Sequence, residues 1–243
     1  MRVLVVMAMH AEAEPVIREF GLAAVATPPW ADRVPMRLYQ GCVGVLEVDL
    51  VVNGIDVESG LDLIGTQAAT ASAMLGCEAF KPDLVVSAGT CGGFTKRGGE
   101  IGKVYLAKDR VWYHDRRVPI PGFDALAIGG YPITNMDDIA EKLGLDRGVV
   151  TTGDSLDLSA EDAKRIEAVG AHAKEMEAAA VAWIAGLFGA RFTALKSVTD
   201  IVDGPHPPEE EFFANLKHAT ERLAIELVRL IHAIGDDAGS PNG

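Results

Sequence analysis

The sequence predicts a single-domain α/β protein, a three-layer α/β/α sandwich built around a mixed central sheet. Short runs rich in β-branched residues alternate with longer helical patterns, as expected when helices cover both faces of one sheet. The runs at residues 3–7 and 84–86 are apolar at successive rather than alternate positions, which is typical of strands buried on both faces. With 243 residues, 49% of them hydrophobic, the chain can bury the core of one such domain.

The predicted elements follow one another without a linker or an internal repeat. Strands are predicted at residues 2–8, 44–52, 82–89, 102–113, 147–152 and 191–200. Helices are predicted between them at residues 11–20, 65–80, 159–170 and 175–188. This order places helical segments on both sides of a largely continuous sheet.

The last predicted helix runs from about residue 208 to residue 232. One apolar stripe along it repeats at three, four and seven residues, and its members are Phe212, Leu216, Leu223, Leu227 and Leu230. The polar, turn-forming sequence "GDDAGSPNG" follows. We therefore expect one catalytic domain at residues 1–235 and a flexible tail at residues 236–243.

Composition excludes several classes of partner. Lys and Arg number 22 against 35 Asp and Glu, a formal net charge of −13 that repels nucleic acid and anionic lipid. No apolar stretch approaches the ~18 residues of a membrane span, and the first apolar run ends after about 7 residues, too soon for a signal peptide. Three widely spaced cysteines form no metal-binding pattern. We expect a cytoplasmic protein that uses no metal.

Candidate site residues lie where predicted strands end, because loops and helix N-termini present ligand-binding groups at that edge of an α/β sheet. The segments are "MAMHAE", "SAGTCGGF", "TTGDSLD" and "KSVTDIVDG". In the second, Gly92 and Gly93 would let the backbone approach a ligand closely. The segment matches neither the dinucleotide fingerprint nor the phosphate-binding loop, so a simple packing turn is an equal alternative.

Three acids stand at such ends: Glu12, Glu177 and Asp200. Singly, each has an ordinary explanation, namely a favourable charge in a first helical turn or a capping residue. Together, one acid can protonate a leaving group, a second can activate water, and a third can hold sugar hydroxyls. The combination predicts a hydrolase acting on a glycosidic bond.

The motifs "AMHAE", "SAGTCGGF", "TTGDSLD", "EMEAAAVA" and "VTDIVDG" occur in one order over residues 1–232. In that order and at those separations the chain resembles the 5'-methylthioadenosine/S-adenosylhomocysteine nucleosidases of the nucleoside phosphorylase superfamily. The segment "HDRRVPIPGFD" at residues 114–124 is similar to the plant-type branch. The resemblance implies a nucleoside phosphorylase-like fold, a homodimer, no organic cofactor, and hydrolysis of the N-ribosidic bond of 5'-methylthioadenosine or S-adenosylhomocysteine.

The resemblance also implies roles for the three acids. Glu12 would orient and deprotonate the attacking water, and Asp200 would donate a proton to N7 of adenine. Glu177 would bind the ribose hydroxyls, with Met176 against the sugar and the Gly92 backbone bordering base and ribose. An aspartate acting as an acid near neutrality requires burial or neighbouring acids to raise its pKa above about 3.9.

The remaining implied contacts concern the base and the 5' substituent. Leu156 stands where relatives often place an aromatic ring beside the purine, and Asp157 would contact adenine through its backbone. The 5' pocket is assigned to Ile64, Phe212 and, from a partner subunit, Phe123. Lys196 and Thr199 stand where bacterial relatives tend to have Arg and Ser.

Three alternative functions remain open at this point. A phosphorylase of the same superfamily would need arginines around a phosphate, and neither "SAGTCGGF" nor "AMHAE" contains one, although Arg116 and Arg117 remain candidates. A nucleoside-binding protein without turnover would have no need of both an acid and a base. A hydrolase of another purine nucleoside would carry the same acids.

Overall fold

The computed structural model describes residues 1–238 as ten strands and seven α-helices. The strands are β1 (Arg2–Met7), β2 (Ala23–Ala24), β3 (Arg37–Val43), β4 (Leu46–Val52), β5 (Leu84–Gly93), β6 (Val104–Tyr113), β7 (Gly129–Pro132), β8 (Asp146–Thr152), β9 (Ala173–Glu175) and β10 (Arg191–Ile201). The helices are α1 (His10–Phe20), α2 (Gly65–Phe80), α3 (Phe123–Ile128), α4 (Asp137–Leu143), α5 (Ala160–Ala168), α6 (Ala178–Leu187) and α7 (Pro208–Ala238). A short 3₁₀ turn spans Thr95–Arg97.

All ten strands belong to one mixed sheet. The sequence predicts the mixed sheet but only six of its strands. β1 pairs in parallel with β4 and β5, whereas β3 is antiparallel to β4. Beyond β5 the sheet closes on itself, because β5 pairs with both β10 and β9, and β10 connects back to β9 through β6 and β8. We call these five strands the closed ring.

Helices cover both faces and complete the three predicted layers. Val3 and Val5 of β1 pack into one core with Leu223 and Leu227 of α7. Leu4, on the opposite face of the same strand, packs with side chains of α2 and α6. Both faces of β1 are therefore buried, which explains why its sequence is apolar at successive positions.

Helix α7 extends farther than its apolar stripe predicts. It continues to Ala238, so residues 236–238 are helical and not part of a separate tail. The rest of the predicted tail, residues 239–243, lies outside the described residues. Among residues 1–238 no helix combines the length and the apolarity that a membrane crossing requires.

Candidate active site

A cavity of about 640 Å³ opens where β1, β5 and β10 end. This is the edge at which ligands collect in α/β sheets. The cavity is lined by polar residues on one side and by apolar residues at its rim; the full set is Ala8, Met9, Glu12, Leu61, Asp62, Ile64, Thr90, Cys91, Gly92, Leu156, Lys174, Glu175, Met176, Glu177, Thr199, Asp200, Val202, Glu209, Phe212 and Phe213. Eight of the ten residues that the sequence and the resemblance predict for the site are among them.

Glu12 is held rigidly in the first turn of α1. Its Oε1 atom accepts hydrogen bonds from the backbone N–H of Thr90 at 2.7 Å and from the Thr90 hydroxyl at 2.6 Å. Its Oε2 atom accepts one from the backbone N–H of Met9 at 3.2 Å, so the side chain also caps its own helix. The buried carboxylate is thus fixed by donors from two elements, and Oε2 keeps a lone pair free.

A buried ion pair lies next to Glu12. Lys196 Nζ is 2.7 Å from Glu175 Oε2, and each side chain is only 1% exposed. Glu175 also accepts hydrogen bonds from the backbone N–H groups of Glu177 and Ala178, at 2.9–3.1 Å, and from the Thr152 hydroxyl. These donors lie at the N-terminus of α6, where a carboxylate is favoured by the helix dipole. Glu175 therefore connects the ion pair to the start of α6.

Burial alone would lower the pKa of Lys196, but the surrounding carboxylates, Glu175 first, raise it above its ordinary value. The ammonium is therefore kept charged in a closed environment. A buried pair of this kind is costly to break, because the remaining charge has no access to water.

Glu177 precedes α6 and points into the cavity. Its Oε1 atom accepts a hydrogen bond from the backbone N–H of Gly65 at 2.9 Å. Burial, and then the nearby Glu175 carboxylate, raise its pKa to about 7, although Lys196 and the Gly65 N–H act in the opposite direction. Glu177 therefore exchanges its proton much nearer neutral pH than an ordinary carboxyl group does.

Gly65, the donor to Glu177, is required by its surroundings. Its φ of +88° is one that L side chains rarely adopt, and a Cβ there would lie 2.6 Å from Asp154 Oδ1. Asp154 comes close because it accepts hydrogen bonds from the backbone N–H and the hydroxyl of Thr66, at 2.7 and 2.6 Å. Asp154 and Glu177 together cap α2, which has no side-chain cap of its own.

Asp200 lies near the end of β10, directly after an irregularity in the pairing of that strand with β5. The residue is 3% exposed, and its Oδ1 atom accepts a hydrogen bond from the Thr199 hydroxyl at 2.8 Å. Burial raises the pKa of Asp200, while the Thr199 hydroxyl and the Lys174 ammonium oppose that rise. The raised pKa is the property that a proton donor at this position needs.

Gly92 explains how Asp200 reaches its position. Gly92 pairs with Asp200 across the ladder, and a Cβ on Gly92 would lie 2.8 Å from Asp200 Oδ2 and 2.5 Å from Val202 Cγ2. Any side chain would displace the carboxylate. The glycine-rich segment is therefore part of the cavity and not only a packing turn.

The rim of the cavity is apolar. Ile64 and Leu156 are 51% and 44% exposed there, and the rings of Phe212 and Phe213 lie 5.4 Å apart in an edge-to-face arrangement. Met176 also lines the cavity. The cavity thus combines an acidic interior with an apolar mouth.

Two residues that the resemblance assigns to the site do not line the cavity. Asp157 is exposed in the loop after β8, while its neighbour Leu156 does line the cavity. Phe123, at the start of α3, is 55% exposed and outside the cavity of its own chain. The adenine contact of Asp157 and the contribution of Phe123 to a partner's cavity remain predictions.

Sequence reasoning missed Thr90, Lys174 and Glu175. Thr90 lies inside the glycine-rich segment, and Glu175 lies two residues before Glu177. Both could have been found because they are close in sequence to a predicted site residue. Nothing in the sequence identified Lys174, since a lysine beside a glutamate usually indicates a solvent-exposed segment. Within residues 1–238, no group of three or more His, Cys, Asp or Glu side chains is arranged to hold a metal ion.

Comparisons with known proteins match almost the whole chain. The family model described as the phosphorylase superfamily matches residues 2–232. The chain is 40% identical over 232 residues to a 5'-methylthioadenosine nucleosidase of Arabidopsis thaliana, covering 96% of this chain and 86% of that protein. It is 35% identical to a 5'-methylthioadenosine/S-adenosylhomocysteine nucleosidase of the same plant, covering 96% and 91%. The apo structure of the Arabidopsis 5'-methylthioadenosine nucleosidase, 40% identical, superposes with a TM-score of 0.93 over 96% of this chain and 95% of that one.

Proposed function

This chain belongs to the phosphorylase superfamily, and from that premise we propose that it is an N-glycosyl hydrolase that cleaves the N-ribosidic bond of 5'-methylthioadenosine. The products are adenine and the 5-thioribose sugar. One observation carries the proposal: Glu12, Glu177 and Asp200 line a single cavity that is large enough for a nucleoside. S-adenosylhomocysteine is the second substrate to test, because one similar protein bears both names.

In this proposal the two ends of the cavity have different tasks. We call Glu12, Glu175, Glu177 and Lys196 the sugar end, and Gly92, Leu156, Lys174 and Asp200 the purine end. During cleavage, positive charge develops on the ribose ring and negative charge on the departing purine. Carboxylates beside the sugar stabilise the first, and an acid beside the base stabilises the second.

Glu12 acts on the attacking water. The bond from the water oxygen to C1' forms while the bond from C1' to N9 breaks, and Oε2 of Glu12 accepts the proton that the water loses. The two hydrogen bonds from Thr90 hold the carboxylate in one orientation before the water arrives. Glu12 therefore needs no rearrangement during the reaction.

Glu177 binds the ribose hydroxyls. Its Oε1 atom is engaged by the Gly65 N–H, and the remaining lone pairs accept hydrogen bonds from the sugar. Hydroxyl donors favour the ionised form, so nucleoside binding should lower the pKa of Glu177 from about 7. Met176 packs against the sugar from the same segment.

Asp200 supplies the proton for the leaving group. The electron pair of the broken bond passes to the purine, and the Asp200 carboxylic acid donates its proton to N7. Burial raises the pKa of Asp200 in the direction that this step requires. Gly92, which lines the same cavity, leaves the space that the Asp200 carboxyl group occupies.

The apolar mouth accommodates the 5' substituent. Ile64 and Phe212 face the cavity at its rim, and a methylthio group has the size and polarity to pack against them. Phe123 of a partner subunit would complete this pocket, in keeping with its 55% exposure in the single chain.

The lining of the cavity supports phosphorolysis less well than hydrolysis. No arginine is among the cavity-lining residues in the described part of the chain. Arg116 stacks on the ring of Tyr113 at 4.5 Å, and Arg117 pairs with Asp162 at 2.5 Å, so both have partners elsewhere. A phosphate bound here would lack the bidentate donors that it usually recruits.

The proposed enzyme is a cytoplasmic homodimer. Large apolar side chains are exposed on α2, α3 and α6, among them Met74, Phe123, Leu126, Trp183 and Leu187, and such surface favours association. The three cysteines are free thiols, two of them buried, which suits a reducing compartment. Light scattering at micromolar concentration tests the dimer, and a monomeric mass would remove the partner's Phe123 from the pocket.

Adenine release tests the proposed reaction. We expect release from 5'-methylthioadenosine in phosphate-free buffer at a rate that added phosphate does not increase. S-adenosylhomocysteine, adenosine and inosine, assayed in parallel, define the 5' and base preferences. Strict dependence on phosphate would favour a phosphorylase, and tight binding without release would favour a binding protein.

A further inference from the structure

Lys174 is a buried cation at the purine end that the proposed mechanism does not use. It is 5% exposed, lies in the three-residue strand β9, and lines the cavity. Within residues 1–238, no carboxylate lies within ion-pairing distance of its ammonium nitrogen. A buried lysine without an ion pair is uncommon, because burial penalises the charged form.

The strand register places Lys174 opposite Asp200. Gly92 of β5 pairs with Asp200 of β10 on one side and with Lys174 of β9 on the other. Residues paired directly across a ladder point to the same face of a sheet. Because the central residue is a glycine, no side chain of β5 stands between Asp200 and Lys174 in this row of the sheet.

The ammonium group is anchored to the cavity wall. Nζ donates hydrogen bonds to the backbone carbonyls of Ser155 and Leu156, at 2.5 and 3.0 Å. Leu156 lines the cavity, and the loop that carries it has no regular secondary structure. The position of that wall therefore depends on a side chain that reaches it from β9.

We propose that Lys174 is a positioning residue for the reaction: it fixes the Leu156 wall against the purine and supplies the positive charge that the departing purine faces. This proposal rests on the proposed function. Asp200 delivers the proton, whereas Lys174 transfers nothing. Burial lowers the pKa of Lys174, and the surrounding carboxylates, Asp200 first, favour its charged form. The purine anion forms in the cavity that both side chains line, where a nearby cation stabilises developing negative charge.

The same charge acts on Asp200. An ammonium group in the same cavity favours the ionised carboxylate and so holds the pKa of Asp200 below the value that burial alone would give. Other charged or titratable groups near the two residues are His114, Asp115, Asp157, Asp162, Glu211 and the Cys91 thiol. Loss of the lysine charge therefore raises the pKa of Asp200, and the acid form persists to higher pH.

The test compares Lys174→Met, Lys174→Gln and Lys174→Arg with the wild-type enzyme. Calorimetry measures the affinity for adenine, which depends on the position of Leu156 and on the lysine charge and involves no turnover. The pH profile of kcat/KM measures the apparent pKa of the Asp200 acid. Asp200→Asn identifies the basic limb of that profile, which should disappear in this variant. Lys164→Met is the matched control, because it removes a lysine charge from the exposed face of α5 and should change neither measurement.

We expect Lys174→Met to weaken adenine binding about tenfold and to move the basic limb up by on the order of one pH unit. Lys174→Gln should retain part of the affinity, since its amide can donate to one carbonyl, but should shift the limb as far. Lys174→Arg should keep both properties. Should the Met variant fail to fold, the Gln variant carries the same test.

The proposal would be overturned if the basic limb of the kcat/KM profile stayed at the wild-type pH in both Lys174→Met and Lys174→Gln, whatever their affinity for adenine. A purely structural lysine would give that result. Unchanged adenine affinity in both variants would overturn it as well. If the wild-type enzyme released no adenine from any nucleoside, the proposed function would fall, while adenine binding by the same variants would still decide whether Lys174 positions a purine.

Discussion

The sugar end and the purine end of the cavity bury charge in different ways. At the sugar end, Lys196 and Glu175 form an enclosed ion pair at 2.7 Å. At the purine end, Lys174 bonds to two backbone carbonyls and Asp200 to the hydroxyl of Thr199, so the cation and the acid are not paired with each other. The first arrangement fixes charges in place, whereas the second leaves a carboxyl group free to exchange its proton.

This difference indicates where protons move. Both oxygens of Glu175 are engaged, by Lys196 and by backbone N–H groups at the start of α6, so this residue serves as support. Glu12 and Asp200 are held by N–H and O–H donors alone. The proposed base and acid are thus held by neutral donors, with no lysine in direct contact.

Glu12→Gln should give the largest effect and tests the sugar end. The amide keeps the shape of the side chain but cannot accept the proton of water, so kcat should fall ~10²–10⁴-fold while nucleoside binding persists. Steady-state adenine release and calorimetry with 5'-methylthioadenosine measure the two properties. Turnover above about a tenth of the wild-type value would contradict the assigned role.

Lys196→Met tests whether the sugar-end ion pair is structural. Removal of the cation leaves Glu175 buried without a counter-charge, and the free energy of unfolding should fall by about 3–5 kcal/mol, or roughly 10 °C in Tm. The double variant Glu175→Gln with Lys196→Met removes both charges and should recover most of this loss. Thermal unfolding measures all three proteins.

Lys174→Met sharpens the same comparison, because no ion pair is broken there. A loss of stability as large as that of Lys196→Met would show that the two lysines do not differ in the way described.

Asp200→Asn tests the purine end. The amide can still donate a hydrogen bond but cannot transfer a proton to N7, so kcat should fall about 10²-fold or more. A nitrophenyl riboside, whose leaving group departs as an anion without protonation, should show a much smaller loss. Equal losses on both substrates would mean that Asp200 shapes the pocket without donating a proton.

Proton release on binding should give the smallest effect and reports on Glu177. Since burial and the Glu175 carboxylate raise the pKa of Glu177 to about 7, and ribose hydroxyls favour its ionised form, binding near pH 7 should release a fraction of a proton per site. The Glu12→Gln protein, titrated with 5'-methylthioadenosine in buffers of different ionisation enthalpy, measures this release. The variant loses the smaller contribution of the Glu12 charge to this pKa but keeps those of burial and Glu175.

Glu177→Gln in the same background is the control. It should abolish the release and weaken nucleoside binding about tenfold, because the charged acceptor is lost. Release that survives in this variant would assign the titrating group to another residue.

The sequence predicts most of the framework because its strands are buried on both faces. The runs at β1 and β5 are continuously apolar, and Glu12 and Asp200 follow from their positions at strand ends. Their meeting in one cavity also follows, since strand ends of a largely parallel sheet meet at one edge. The family resemblance then supplied their roles, which spacing alone did not.

The sequence fails at β9. Its three residues, Ala173–Glu175, contain two charged side chains, and that pattern ordinarily indicates an exposed turn. Both are buried because closure of the ring brings β9 against β5 and β8, where Lys196 and two backbone carbonyls satisfy the charges. Partners so distant in sequence leave no local signal. The length of α7 and the closure of the ring depend on the same kind of long-range packing.

The closed ring restricts how a substrate can enter. Its five strands have no free edge between β5 and β10, so no strand there can move outward without loss of ladder hydrogen bonds on both sides. Access to the purine end must therefore come from the mouth, through residues 56–64, the loop around residue 156 and the first turns of α7. Entry and product release thus depend on these segments of the mouth, while the strands beneath the base are held by ladder hydrogen bonds on both sides.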